Sequence, residues 1–235
     1  DALGYVPHRV ARTLREGRSR IVLLNVGDLL GSSMTSVIRG MTEELRQHGY
    51  TLLVTTDEPG FSPELTSAVA PRAALDLTVV TTGDEDDDAV SGVVAGYHAG
   101  FAYHSITQLR HLAEQGHDRV AFAAPAGARA PPARTRLDHA RRAARDLGLT
   151  PLVAAEVSTA AGDPHRVEAI RRLVEDDRVS AVAAYDDDVA LAALTAAAEL
   201  GYRVPEDLAV IGFDEGRYGH LWKPALTTVR IDAAS

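Results

Sequence analysis

LGYRVPEDLAVIGFDE, Leu200–Glu215, passes from one kind of secondary structure to another within a few positions. Val189–Leu200, just before and into it, reads as a helix, and Gly201 supplies the residue that ends one. Leu208–Phe213 is then an apolar run of the kind that a strand buried on both faces requires. Asp214 follows just past the carboxyl end of that strand. Upstream, Ala181–Tyr185 is a second apolar strand, and it ends on Asp186. Asp187 is expected to cap the helix that follows.

The same alternation extends outward in both directions. Arg20–Val26 and Thr51–Thr56 read as strands on either side of a helix over Met34–His48, whose apolar residues Met34, Val37, Ile38, Met41 and Leu45 recur at helical spacing before Gly49. Ser62-Pro63 opens another helix with a cap and a first-turn proline. Arg119–Ala124, Arg134–Leu147, Leu152–Val157 and His165–Val174 continue the series. Strands alternating with helices predict parallel sheets covered on both faces. A chain of 235 residues suits two such lobes rather than one. The expected fold class is therefore α/β, with two doubly wound parallel-sheet lobes. Ala73–Thr82 (AALDLTVVTT) departs from the pattern, because it reads as two strands fused end to end. Parallel neighbours need a crossover of a dozen or more residues, so either this is one long strand or, the favoured reading, a segment is missing between Leu77 and Thr78.

Composition narrows the function. There is no cysteine, which excludes disulfides, zinc–thiolate sites and thiol nucleophiles. The formal net charge of −9 argues against non-specific nucleic-acid binding by the body of the chain. No apolar run reaches the ~20 residues of a membrane span. The acidic run Asp84–Asp88 reads as a solvated loop and lacks the glycine and closing glutamate of an EF-hand. The nine histidines show no HExxH spacing, and no glycine-rich phosphate loop follows a strand. No enzyme activity, metal or cofactor is expected.

The opening, GYVPHRVARTLREGRSR (Gly4–Arg20), is basic within this acidic chain. A short helix after Pro7 places Arg9 and Arg12 on one face and Val10 and Leu14 on another. Such a helix either meets phosphates and the minor groove, with a leucine wedged between base steps, or is a solvated linker. LGYVPHRVARTLREGRS resembles the end of the DNA-binding headpiece and the hinge helix of the lactose-repressor (LacI/GalR) family of bacterial transcription regulators. The likeness continues through EQGHDRVAFAA (Glu114–Ala124), AYDDDVALAAL (Ala184–Leu194), LGYRVPEDLAVIGFDE and PALTTV (Pro224–Val229). The resemblance implies a type I periplasmic-binding-protein-like fold, with a small ligand in the cleft between the lobes. It implies residues 1–19 as the headpiece end and hinge helix, without the helix-turn-helix that precedes them in the family. It further implies 20–116 plus 225–235 as the N-terminal lobe and 117–224 as the C-terminal lobe. Arg9, Arg12 and Leu14 become the expected DNA contacts. The chain begins at Asp1 and stops at Ser235, short of the family's closing helices, which reads as a trimmed chain.

The resemblance also selects ligand residues. Asp214 matches the family's cleft aspartate, against the alternative of a loop cap or loop ion pair. Asp186 stands where the family has asparagine; ionised, it only accepts hydrogen bonds. Arg136 matches an arginine that reaches sugar hydroxyls, or else is a surface helix residue, and His139 replaces a family glycine near it. Asp28 resembles a common aspartate of the loop after the first strand. Ser32 and Ser33 sit at a helix start, to bind a ligand oxygen or to cap. Trp222 either stacks on a ligand ring or packs the hinge. The implied function is a cytoplasmic, homodimeric, ligand-responsive repressor, whose effector is sugar-like or nucleoside-like and whose other partner is operator DNA, with no membrane partner. The alternative is the solute-binding protein of a transporter.

Overall fold

The computed structural model describes residues 19–27, 32–56, 60–77, 102–127 and 131–230. The chain divides into two compact units. The first holds β1 (Ile21–Asn25), the body of α1 (Ser32–Gln47), β2 (Thr51–Thr55), α2 (Pro63–Val69) and β3 (Ala73–Asp76). Its strands form a parallel sheet of order β2-β1-β3. Leu24, Val26 and Met34 form its buried core, with Ile38, Met41, Leu52, Val54 and Leu75 packed around them. The helical stripe read from the sequence thus covers the sheet, except that Val37 turns outward and is exposed. Ser62 caps α2 as expected, its hydroxyl oxygen accepting from the Leu65 amide. Ala73–Asp76 of the fused stretch is β3, whereas residues 78–82, and so the expected break, lie outside the described residues.

The second unit runs from a helix over 102–114 (α3) through β4 (Val120–Pro125), α4 (Pro131–Asp146), β5 (Val153–Val157), α5 (His165–Glu175), β6 (Ala181–Ala184), α6 (Asp187–Glu199) and β7 (Ala209–Phe213) to β8 (Thr227–Val229). A single turn of 3-10 helix, Gly219–Leu221, lies between the last two strands. All five strands are parallel, in the order β5-β4-β6-β7-β8.

Alternation along each strand explains the two cores. Ala121 and Ala123, Val182 and Ala184, and Val210 face α5 and α6. Val120 and Phe122, Ala181 and Ala183, and Ala209, Ile211 and Phe213 face α3 and α4. A strand buried on both sides must be apolar at every position, and β6 (AVAA) and β7 (AVIGF) are. α6 is alanine-rich, with Ala190, Ala193, Ala196 and Ala197 buried, so its axis lies close against the sheet.

Two assignments of the sequence reading change. Residues 102–116 and 225–230, placed there in the first lobe, supply α3 and β8 to the second unit instead. The cause is apolar burial: Leu109, Leu112 and Val229 join Phe122 and Phe213 in one core. Residues 1–18 lie outside the described residues, and with them Arg9, Arg12 and Leu14.

Candidate functional site

Phe122 of β4 and the carboxyl ends of β6 and β7 bring aromatic and charged side chains together beneath α3 and α4. Arg136 of α4 is only 1% exposed. Its guanidinium lies 3.9 Å from the Phe213 ring centroid, 5.1 Å from Tyr185 and 5.8 Å from Phe122. One amino group donates to the Tyr185 carbonyl and the other to Oε1 of Gln108, at 2.9 Å. The sequence reading had this guanidinium reaching into solvent or toward ligand hydroxyls. It does not reach solvent but is packed among three rings, Phe122 within β4, Tyr185 just past β6 and Phe213 at the end of β7. A weakly hydrated, planar cation suits such a place better than an ammonium does.

α3 supplies two residues that the sequence reading did not single out. Gln108 is fully buried and donates to the carbonyls of Ala184 and Gly212, both at 2.9 Å. His104, one turn earlier, packs its ring 4.9 Å from that of Phe213. Burial, and secondarily the charge of Arg136, hold the His104 imidazole below its ordinary pKa. The available signal was a polar residue on an apolar helix face: Ser105, Gln108, Leu109 and Leu112 are all buried.

Three consecutive aspartates open α6, and their roles differ from the expectation. Asp186, not Asp187, is the N-cap, with extended backbone and Oδ1 accepting from the Val189 amide at 2.8 Å. Burial raises its pKa, and the Val189 hydrogen bond opposes the rise. Asp187 is buried and accepts from the Gly216 amide and the Thr228 hydroxyl, both at 2.6 Å, and from the Phe213 backbone. Burial raises its pKa too, and these bonds counter the effect. Asp187 therefore ties α6, β8 and the turn after β7 together.

That turn carries Asp214. Its backbone φ is +91°, and that of Glu215 is +49°, conformations that side-chain-bearing residues rarely adopt. The Asp214 amide donates to Val229 of β8 at 2.9 Å, and Arg230 pairs with Glu215 at 3.2 Å. The Tyr185 hydroxyl registers the whole group. Burial pushes its pKa up to about 12; Arg136 pulls it down, and Asp186 and Asp214 push it up. Arg136, Asp186 and Asp214 thus all lie within electrostatic reach of one phenol.

Asp28 lies outside the described residues, and Ser32 and Ser33 open α1 with undescribed side chains. Trp222 packs against the core on the α5–α6 side of the sheet, whereas Arg136 sits on the α3–α4 side.

A cluster of opposed charges and aromatic rings at the carboxyl ends of parallel strands is the usual place for a small polar ligand in an open α/β sheet. Residues 109–235 match the periplasmic binding protein-like domain family. The chain belongs to that family, and within it to the effector-binding domains of LacI/GalR-type transcription regulators. It is 25% identical to the HTH-type transcriptional repressor CytR of Escherichia coli (strain K12) over 260 positions, covering 97% of this chain and 72% of CytR. Because that alignment is longer than this chain, CytR carries residues with no counterpart here. Among solved structures, a lac repressor dimer bound to operator and an anti-inducer superposes with a TM-score of 0.72 at 19% identity, over 97% of this chain and 86% of that one. A LacI-family regulator from Enterococcus faecium with bound ribose gives 0.65 at 16% identity, over 90% and 84%. The named relatives are repressors, neither enzymes nor transporter components, so the solute-binding alternative is not favoured. Among the described residues no helix is long and apolar enough to cross a membrane.

Proposed function

We propose that this chain senses a small polyhydroxylated effector, sugar-like or nucleoside-like, and passes its occupancy to operator DNA as part of a cytoplasmic homodimeric repressor. Asp214 and Arg136 are the principal ligand residues in this reading. Asp214 accepts hydroxyl hydrogen bonds, and Arg136 donates to ring or hydroxyl oxygens. Asp186 assists from the cap of α6. Asp28, Ser32, Ser33 and Trp222 remain further candidates, and Arg9, Arg12 and Leu14 the proposed DNA contacts. The observation that carries the reading is the placement of Asp186 and Asp214 just past the carboxyl ends of β6 and β7, where Arg136 lies against Tyr185 and Phe213. Two carboxylates beside one guanidinium favour a neutral polyol over an acid.

A thermal-shift screen of sugars, nucleosides and polyamines tests it. A ligand at a hundred times its dissociation constant stabilises by about 2.7 kcal/mol. Calorimetric titration of the hit with Asp214→Asn should then show roughly tenfold to hundredfold weaker binding, since a hydrogen bond to a charged group contributes about 1.5–3 kcal/mol. Undiminished affinity in a folded Asp214→Asn protein would remove Asp214 from the site. A polyamine as the sole hit would replace the polyol reading with a cationic effector.

A further inference from the structure

We infer that Gln108 is a positioning residue for Arg136: its buried side chain holds the guanidinium in one orientation over Phe213 without itself reaching the ligand. The consequence for effector binding rests on the role proposed above for Arg136. The positioning itself does not.

The partners of Gln108 fix which way its amide faces. Two carbonyl oxygens, those of Ala184 and Gly212, each lie 2.9 Å from Nε2. An amide has two N–H donors and one carbonyl acceptor. Turned the other way, its oxygen would face two further oxygens, with no donor for any of them. Both donors are thus spent on the ends of β6 and β7, and Oε1 is left directed at Nη2 of Arg136, 2.9 Å away. The other amino group of Arg136 is held by the Tyr185 carbonyl, and the flat face of the cation rests on Phe213. Rotation of the guanidinium about its Nε–Cζ bond would break both amino contacts. One side chain on α3 therefore joins two central strands to the functional cation of α4. A glutamine serving only the strand ends would need no acceptor aimed at Arg136.

The test follows the guanidinium in the full chain labelled with ¹⁵N-arginine, with no ligand present. In the wild type one guanidinium should give separate, slowly exchanging Nη resonances, and Arg136→Lys should remove them. Gln108→Met fills the same space without hydrogen bonds. With a wild-type circular dichroism spectrum, it should exchange those resonances about tenfold to a hundredfold faster, the effect of losing one hydrogen bond to a charged group. Gln108→Glu keeps the acceptor and gives up both donors. It should keep the resonances separate even as its melting temperature falls. The inference is overturned if the wild type shows no slowly rotating guanidinium, if Gln108→Met leaves the exchange rate unchanged, or if folded Gln108→Glu averages the resonances. Should Gln108→Met fail to fold, the wild-type and Gln108→Glu spectra still decide. A failure of the effector screen leaves all of these spectra untouched, so the two readings fail separately.

Discussion

Asp214 occupies a backbone conformation that suits glycine, with φ at +91°. The usual order of substitution should therefore invert there. Asp214→Gly should be at least as stable as Asp214→Ala, by about 1 kcal/mol, because alanine at positive φ retains a strain that glycine escapes. Urea unfolding of the two variants measures the difference, and a more stable alanine variant would contradict it. Asparagine tolerates this region better than alanine, which makes Asp214→Asn the cleaner probe of ligand binding. His104 carries a pH signature. Its pKa is lowered in the folded chain, so its contribution to stability is present above the ordinary value of about 6.5 and is lost as pH falls through the folded value. His117, lowered by burial, works in the same sense. Asp186 and Asp187, whose values are raised, work in the opposite sense, losing their contribution as pH rises through the folded values. Comparing wild type with His104→Gln isolates the imidazole. The loss of stability between about pH 8 and about pH 5 should be smaller in His104→Gln. Asp163 and Asp207, both held at about 2, matter only in more acidic solution.

Where β7 meets α6, a glycine and a buried carboxylate share one small space. A Cβ on Gly212 would lie 2.1 Å from Oδ1 of Asp187. Gly212→Ala should cost about 1–3 kcal/mol by overpacking. Asp187→Ala should cost a similar amount, because it strands the Gly216 amide and the Thr228 hydroxyl. Combined, the two should cost less than their sum, since removing the carboxylate also removes the clash; strict additivity in denaturation would refute the shared space. Much at this scale was legible in the sequence. β4, β6 and β7 declare themselves because burial on both faces forces uninterrupted apolar runs. Asp186 and Asp214 follow from strand ends alone. Which aspartate caps α6 did not, since a run of three leaves the register open by one residue. The cage around Arg136 was not legible either. Its rings come from Phe122, Tyr185 and Phe213, far apart in the chain, and only strand order makes them neighbours. Gln108 was hidden for a related reason, since both backbone partners come from other elements. Strand β8, only three residues long, was read as the return to the first lobe.

At the scale of the whole chain, each unit has its own sheet and its own buried cluster. Among the described residues the first sheet has three strands and a small core, the second five strands with helices on both faces. The first unit should therefore unfold at lower denaturant than the second, and circular dichroism should show a broad or stepped transition rather than a single cooperative one. Family membership adds the expectation of a homodimer, and sedimentation at micromolar concentration should give twice the chain mass. The chain also holds a single tryptophan, Trp222, and it lies in the second unit, partly buried against the α5–α6 core. Excited at the red edge of protein absorbance, all 235 residues emit light from that one indole. Its colour reports the wetting of one core and is blind to the melting of the other. Each unit can thus be watched come apart by optics alone, with the dichroism recording both and the emission recording only the second.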